Sequence, residues 1–326
     1  MNSSIENIAS MENKKEVVDE FKITNTKQDK KETVSKKFNE EEYVEMFRNK
    51  EPEDNIKKII SAHLCDLTKE TNLSSYNIIY LFDDENPINS FHANQIYHAI
   101  KDSKDKDILM ILHSNGGQIE PAYLISKTCK KLAKSKFNVL VPRLAKSAAT
   151  LIALGANEVH MGLLSELGPI DPQIQGFPAL GLANAIEKVA EMTSKFPSAS
   201  DMFAKFLAEK VSVVQLGLFE RLNESAAQYA ERLLIGKSLP GNLSASSLAD
   251  HFTNHYKDHN FVIDSEEASK LLGNEVIKES TKEYEIGNSI YEFLILTQWL
   301  FKIFNKTNFR FVGSNSSGFN TYNSKS

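Results

Sequence analysis

The sequence predicts an α/β protein with a parallel sheet and a helical segment after residue 180. Between positions 76 and 161, short apolar runs alternate with amphipathic ones, the pattern of β-α-β units. From about 180 to 257 only the helical period persists, and the small-residue stretches "SNGG" and "AKSAAT" fall where apolar runs end. With 326 residues, 41% of them hydrophobic and 25% charged, the chain has a globular composition and the length for one large domain or two modest ones.

Residues 1–40 are rich in Lys, Glu, Asp, Asn and Ser with few large apolar side chains, so they are expected to form a disordered charged leader. A single domain is expected over 41–312. Its strands are "YNIIYLF" (76–82), "DILMILH" (107–113), "FNVLVPRL" (137–144) and "EVHM" (158–161). The intervening helices are expected over 88–101, 121–134 and 148–156, each with apolar residues on one face. A helical insertion spans about 180–257, packed on the sheet or extended toward another subunit, and a last apolar helix covers about 285–304. The Ser/Asn/Gly-rich stretch 313–326 reads as a disordered tail.

The formal charge of -5 and the pI near 6.0 give no basic footprint, so no nucleic-acid partner is expected. The polar, acidic start lacks the pattern of a signal peptide. The run at 290–304 is shorter than the roughly 20 residues needed to span a bilayer and carries Glu292 and Lys302, so no transmembrane segment is expected. Cys65 and Cys129 stand in no metal or redox spacing and fit reduced thiols of a cytoplasmic protein. No cofactor is expected, and no GxxxxGK[ST] stretch occurs, so ATP-driven unfolding would need a separate partner.

Ser147 falls between a strand end and a helix start, where free amides favour negative charge and the small neighbours Ala148 and Ala149 leave the hydroxyl accessible. The same position suits a plain N-cap. Gly116, with Gly117 beside it, occupies the equivalent end of the preceding strand, and the amides of Gly116 and Ala148 would form an oxyanion hole. Asp171 lies between Pro169 and Pro172, on a loop they stiffen. Lys146 points away from its neighbour Ser147 and reads as a surface charge. His113, at the end of its strand, is expected to face the core; Lys188 and Lys210 could act as bases only if buried. His251, His255 and His259 recur every four residues but lack the Glu of HExxH, so no metal is expected.

At "HSNGGQIEPAYLI", "AKSAATLIALGANEVHM", "LGPIDPQ" and "KDHNFVIDSEEASKLLG" the sequence resembles the Clp-type serine protease and crotonase superfamily. More closely, it is similar to the serine dehydrogenase proteinase family within it. The resemblance implies a Clp/crotonase-like fold of repeated ββα units and a serine endopeptidase acting on protein or peptide substrates, generally as a homo-oligomer. It points to His259 as the base, in a segment where Clp-type enzymes place their Asp, with Asp171 or Asp258 orienting the imidazole. A Ser/Lys dyad stays open. So do a non-catalytic oligomeric scaffold of the same fold and a crotonase-like acyl-CoA enzyme.

Overall fold

The computed structural model describes residues 38–69, 73–102, 105–174, 177–210 and 212–323. The charged leader therefore lies outside the described residues up to position 37. Asn39 already caps the first helix, α1 (Glu40–Arg48), by accepting from the amides of Glu41 and Glu42.

Along the chain the strands are β1 (Tyr76–Phe82), β2 (Asp107–His113), β3 (Phe137–Leu140), β4 (Leu144–Ala145), β5 (Glu158–Met161) and β6 (Glu166–Leu167). They are followed by the small hairpin β7 (Gln173–Ile174) and β8 (Phe177–Pro178), by β9 (Ile277–Glu279), and by β10 (Asn308–Ser314) and β11 (Phe319–Tyr322). The main sheet has the order β11-β10-β1-β2-β3-β5-β9. β1, β2, β3, β5 and β9 run parallel, whereas β10 joins β1 antiparallel and β11 closes the edge. Parallel strands are covered on both faces, which is why β2 is buried from Ile108 to His113 and reads as one unbroken apolar run.

The covering helices include α2 (Glu53–Lys69), α3 (Ser90–Ile100), α4 (Ile119–Leu132) and α5 (Ala148–Leu154), and every residue of α5 is buried. Beyond them lie α6 (Ala179–Lys195), α7 (Ser200–Lys210) and α8 (Val213–Leu234), then α9 (Ala245–Asp250), α10 (Ser265–Leu272) and α11 (Lys282–Leu300). The second half of α8 packs into the core through Ala226, Ala230 and Leu234, with Tyr229 against Tyr123 of α4. α11 buries Ile290, Phe293, Leu294 and Leu300, so the late apolar run serves burial.

Past the carboxyl ends of the parallel strands, the chain builds a second layer of short bridges. Ile88 bridges Gly117, Ser114 bridges Ala145, β4 pairs with β6, and Leu167 bridges Ile263. The strand expected over 137–144 is therefore two pieces. Val141 N–H still bonds His160, but Pro142 has no N–H to continue the ladder, and Leu144 resumes in the second layer.

The expected disordered tail is a correction. β10 and β11 pair from Asn308 with Tyr322 to Phe311 with Phe319; Phe309 and Phe319 pack with Phe301, and Phe311 packs with Phe309 and Tyr80. Phe319, within the Ser/Asn-rich stretch, packs on Phe301 and Phe309 outside it, a contact the local composition does not show.

Candidate active site

Ser147 sits on the turn between β4 and α5 with φ 50 and ψ -117, and it is 8% exposed. Lys306, another positive-φ residue, lies in the ordinary left-handed basin with ψ 28. The Ser147 combination is one that side chains rarely adopt and costs about 1–3 kcal/mol. Its surroundings enforce it: Lys146 N–H bonds Ser114 C=O, Ala149 N–H bonds Lys146 C=O, and Leu151 N–H bonds Ser147 C=O. Among the described residues neither Ser147 Oγ nor the Ala148 N–H has a hydrogen-bond partner.

Gly116 has φ 97, and a Cβ there would stand 2.5 Å from Lys146 O, 2.9 Å from Ser147 Cβ and 3.0 Å from Ala148 N. Only glycine lets this turn close on the serine while keeping the space before the Ala148 amide open. The Gly116 N–H makes a long bond of 3.3 Å to Ser114 Oγ. Gly117 does a different job: a side chain there would collide with Ile88, whose C=O accepts from Gln118 N–H.

Asp171 is 5% exposed at the end of the loop after β6. Thr150, one turn into α5, fixes that loop: its hydroxyl meets Ala145 C=O at 2.7 Å and Gly168 C=O at 2.8 Å, and takes Gly168 N–H at 3.0 Å. The Leu167–Ile263 bridge lays the 257–263 loop alongside, and His259 Nδ1 stands 3.6 Å from Asp171 Oδ2. That is ion-pair range but longer than a hydrogen bond. His259 Nδ1 and Asp171 Oδ1 are buried without hydrogen-bond partners. Asp258 instead turns its carboxylate to Asn260 N–H at 2.9 Å, so it shapes the loop while Asp171 faces the imidazole.

Lys146 corrects the expectation of a surface charge. Its side chain is 13% exposed, and Nζ pairs with Glu166 Oε2 at 2.7 Å and reaches the carbonyls of Leu167 and Phe261 at 3.3 Å each. The strand pairing of β4 with β6 brings these groups together, which adjacency in sequence does not reveal. Lys188 is 66% exposed and paired with Glu191, so it lacks the burial a lysine base needs. The Lys210 side chain lies outside the described residues. His113 is buried as expected, stacked on Phe82 and edge-on to Tyr291, with Nε2 3.8 Å from Asp84 Oδ2. Burial acts to raise the Asp84 carboxyl pKa, but His113 and Gln298 outweigh it and hold the group below its ordinary value. His251 and His255 stack on each other at 4.2 Å, and His251 bonds Tyr256, while His259 turns to Asp171.

Ser147, Gly116, Gly117, Asp171 and His259 all line one cleft of about 540 Å³. Its lining also includes Asp84, Glu85, Asn86 and Pro87, which the motif search passed over. The signal was present: "DDENP" follows β1, and ligands gather at the carboxyl ends of parallel strands.

A family model described as ClpP-like SDH-type serine proteinase matches residues 85–293. The uncharacterized proteins MJ0137 and MJ1495 of Methanocaldococcus jannaschii are relatives. The first is 29% identical over 180 residues, 55% of this chain and 57% of its own length. The second is 32% identical over 149 residues, 44% of this chain and 50% of its own. The chain thus spans about half the length of the curated relatives it matches. Two solved structures of mutants of the 1510-N membrane-bound stomatin-specific protease, one in complex with a substrate peptide, share 16% identity with it. They cover 68% and 76% of this chain and 86% and 89% of their own, with TM-scores of 0.40 and 0.39.

Proposed function

Since the chain belongs to the ClpP-like SDH-type serine proteinase family, we propose that it hydrolyses peptide bonds through an acyl-enzyme on Ser147. The observation that carries this reading is the strained, unpartnered Ser147 lining the cleft, beside the unpartnered Ala148 amide and the close approach of Gly116. A serine on a strained strand-to-helix turn is held out from the backbone, the geometry of a nucleophile elbow.

In the proposed cycle Ser147 Oγ attacks the scissile carbonyl carbon as His259 takes its proton. The carbonyl electron pair moves onto oxygen, and the resulting oxyanion takes hydrogen bonds from the amides of Gly116 and Ala148. Gly116 gives up its long bond to Ser114 for this stronger one. Collapse breaks the C–N bond, and His259 returns the proton to the leaving amine. Water then attacks the acyl carbon, again losing its proton to His259, and the acid leaves as Ser147 is restored. Asp171 orients the imidazole and balances its charge, after a closure of about 0.7 Å that substrate binding supplies.

The reading extends to a cytoplasmic homo-oligomer. It is supported by the free thiols of Cys65 and Cys129 and by the exposed Phe196, Met202 and Phe206 on and between α6 and α7. Among the described residues no helix is long and apolar enough to cross a membrane.

The test is fluorophosphonate labelling followed by mass spectrometry. An adduct at Ser147 is expected in the wild type, absent in Ser147→Ala, slowed at least about 10³-fold in His259→Ala and unchanged in Lys188→Ala. A wild type that stays unlabelled in every oligomeric state would overturn the catalytic reading in favour of a scaffold.

A further inference from the structure

One wall of the cleft is the turn 83–87 that leaves β1, and its residues are held from the far end of the chain. Gln298 Nε2 donates to Asp84 Oδ1 at 2.9 Å. Lys302 Nζ meets Glu85 Oε1 at 3.1 Å. The Tyr322 hydroxyl donates to Glu85 Oε2 at 3.2 Å and accepts from Asn86 Nδ2 at 2.5 Å. Behind them, Arg310 reaches the buried Asp83 carboxylate at 3.5 Å and is stacked between the rings of Phe91 at 4.0 Å and Tyr322 at 4.8 Å. Asp83 is further fixed by His92 Nε2 at 3.1 Å and by the Asn86 amide at 3.0 Å.

Inside the turn only Asp83 and Asn86 bond each other through their side chains; Asp84 also takes Asn115 Nδ2 on its carbonyl at 2.7 Å and faces His113, whereas the Glu85 carboxylate meets Lys302 and Tyr322. Gln298, Lys302, Arg310 and Tyr322 all lie beyond residue 293, where the family match ends, and Asp83 and Asp84 lie just before its start at 85. A segment outside the family's common part thus shapes a wall of the cleft.

We infer that the segment from Gln298 to Tyr322 is the positioning element of this wall and sets how tightly a peptide is held beside Ser147. The inference rests on the cleft being the peptide site. Tyr322 is the central positioning residue, because a single hydroxyl bonds two adjacent wall residues. Arg310 supports it by holding both the Tyr322 ring and Asp83. None of these groups acts on the reacting atoms, so their loss changes substrate affinity and leaves the intrinsic reactivity of Ser147 alone.

The experiment compares full-length wild type with Tyr322→Phe, Arg310→Met and Arg310→Lys, all checked for unchanged thermal melting. With a fluorescein-labelled casein peptide, Tyr322→Phe should raise KM about 5-fold while kcat stays within about 2-fold. Fluorophosphonate labelling of Ser147 should keep its wild-type rate, because so small a reagent does not need the wall. Arg310→Met should raise KM further, and Arg310→Lys should restore part of it. An unchanged KM in both Tyr322→Phe and Arg310→Met, or kcat and labelling falling together with KM, overturns the inference. Hydrogen exchange at the amides of 84–86 gives a reading independent of activity. It should accelerate in Tyr322→Phe, and unchanged exchange would sink the positioning role even if the wild type proved inert. Absence of labelling in the wild type, by contrast, would count against the protease reading alone.

Discussion

The two sides of the cleft are built to different tolerances. On the nucleophile side, Gly116 abuts the Ser147 turn so closely that a methyl group has no room, and Thr150 and the α5 backbone fix what lies behind it. On the acid-base side, His259 and Asp171 face each other across 3.6 Å, with Nδ1 of one and Oδ1 of the other unpartnered in the interior. The loop bearing His259 is flanked by Phe261 and Val262, both exposed, although the Leu167–Ile263 bridge anchors its end. The difference teaches that the backbone strain at Ser147 is set in the folded chain, whereas the proposed proton-transfer pair stands 3.6 Å apart and would need a small further movement to hydrogen-bond.

The sharpest way to break the contrast is Gly116→Ala. The added methyl would crowd Lys146 O and the space before Ala148 N, so kcat should fall about 10²- to 10³-fold. Near-normal peptide hydrolysis in this variant would show that the nucleophile side is not tight. Asp171→Asn tests the open side. It should lower kcat about 10²-fold, less than in a triad whose hydrogen bond is already closed, with Ser147 backbone geometry unchanged in a crystal structure. A loss as large as that of His259→Ala would mean the pair is closed in the resting protein.

Lys146 joins the two sides, since the residue beside the nucleophile holds the Phe261 carbonyl of the His259 loop. Lys146→Met should cost about 10-fold in kcat through loosened geometry, and Lys146→Arg should recover most of it because guanidinium can still reach Glu166. An Arg variant as slow as Met would end the positioning account. The smallest effect expected is on stability. Lys237 Nζ donates to the Ala156 carbonyl beyond the end of α5, and burial, helped by Lys130, lowers its pKa to about 8. The unfolded chain keeps that proton to about pH 10.4, so it binds more protons than the folded chain between pH 8 and 10.4. Stability should therefore rise across that window, by no more than about 3 kcal/mol, and thermal melting of Lys237→Met should lack this component.

Much of the fold was legible because parallel strands and their crossovers carry strong local signatures. The run from Ile108 to Leu112 could hardly be anything but an interior strand, and Ser147 and Gly116 stood where such strands end, with Asp171 on a loop its prolines stiffen. The tail was misread because its Phe319 packs on Phe301 and Phe309, which lie outside the Ser/Asn-rich stretch. Lys146 was misread because its partners Glu166 and Phe261 arrive through pairing in the second layer. The wall at 83–87 carried a strand-end signal, but nothing in "DDENP" announces Tyr322 as its partner.

By itself the sequence determined the α/β alternation, the small-residue turns at two strand ends and the set of side chains able to do acyl chemistry. These follow from steric and hydrophobic rules that act over a few residues. Tertiary structure alone decided that Asp171 rather than Asp258 faces His259, that Lys146 is a clamp and Lys188 a solvent pair, and that the C-terminal hairpin props the cleft. Each of those depends on a contact between residues distant in the chain. Such contacts are selected by the packing of the whole core, which no local window contains.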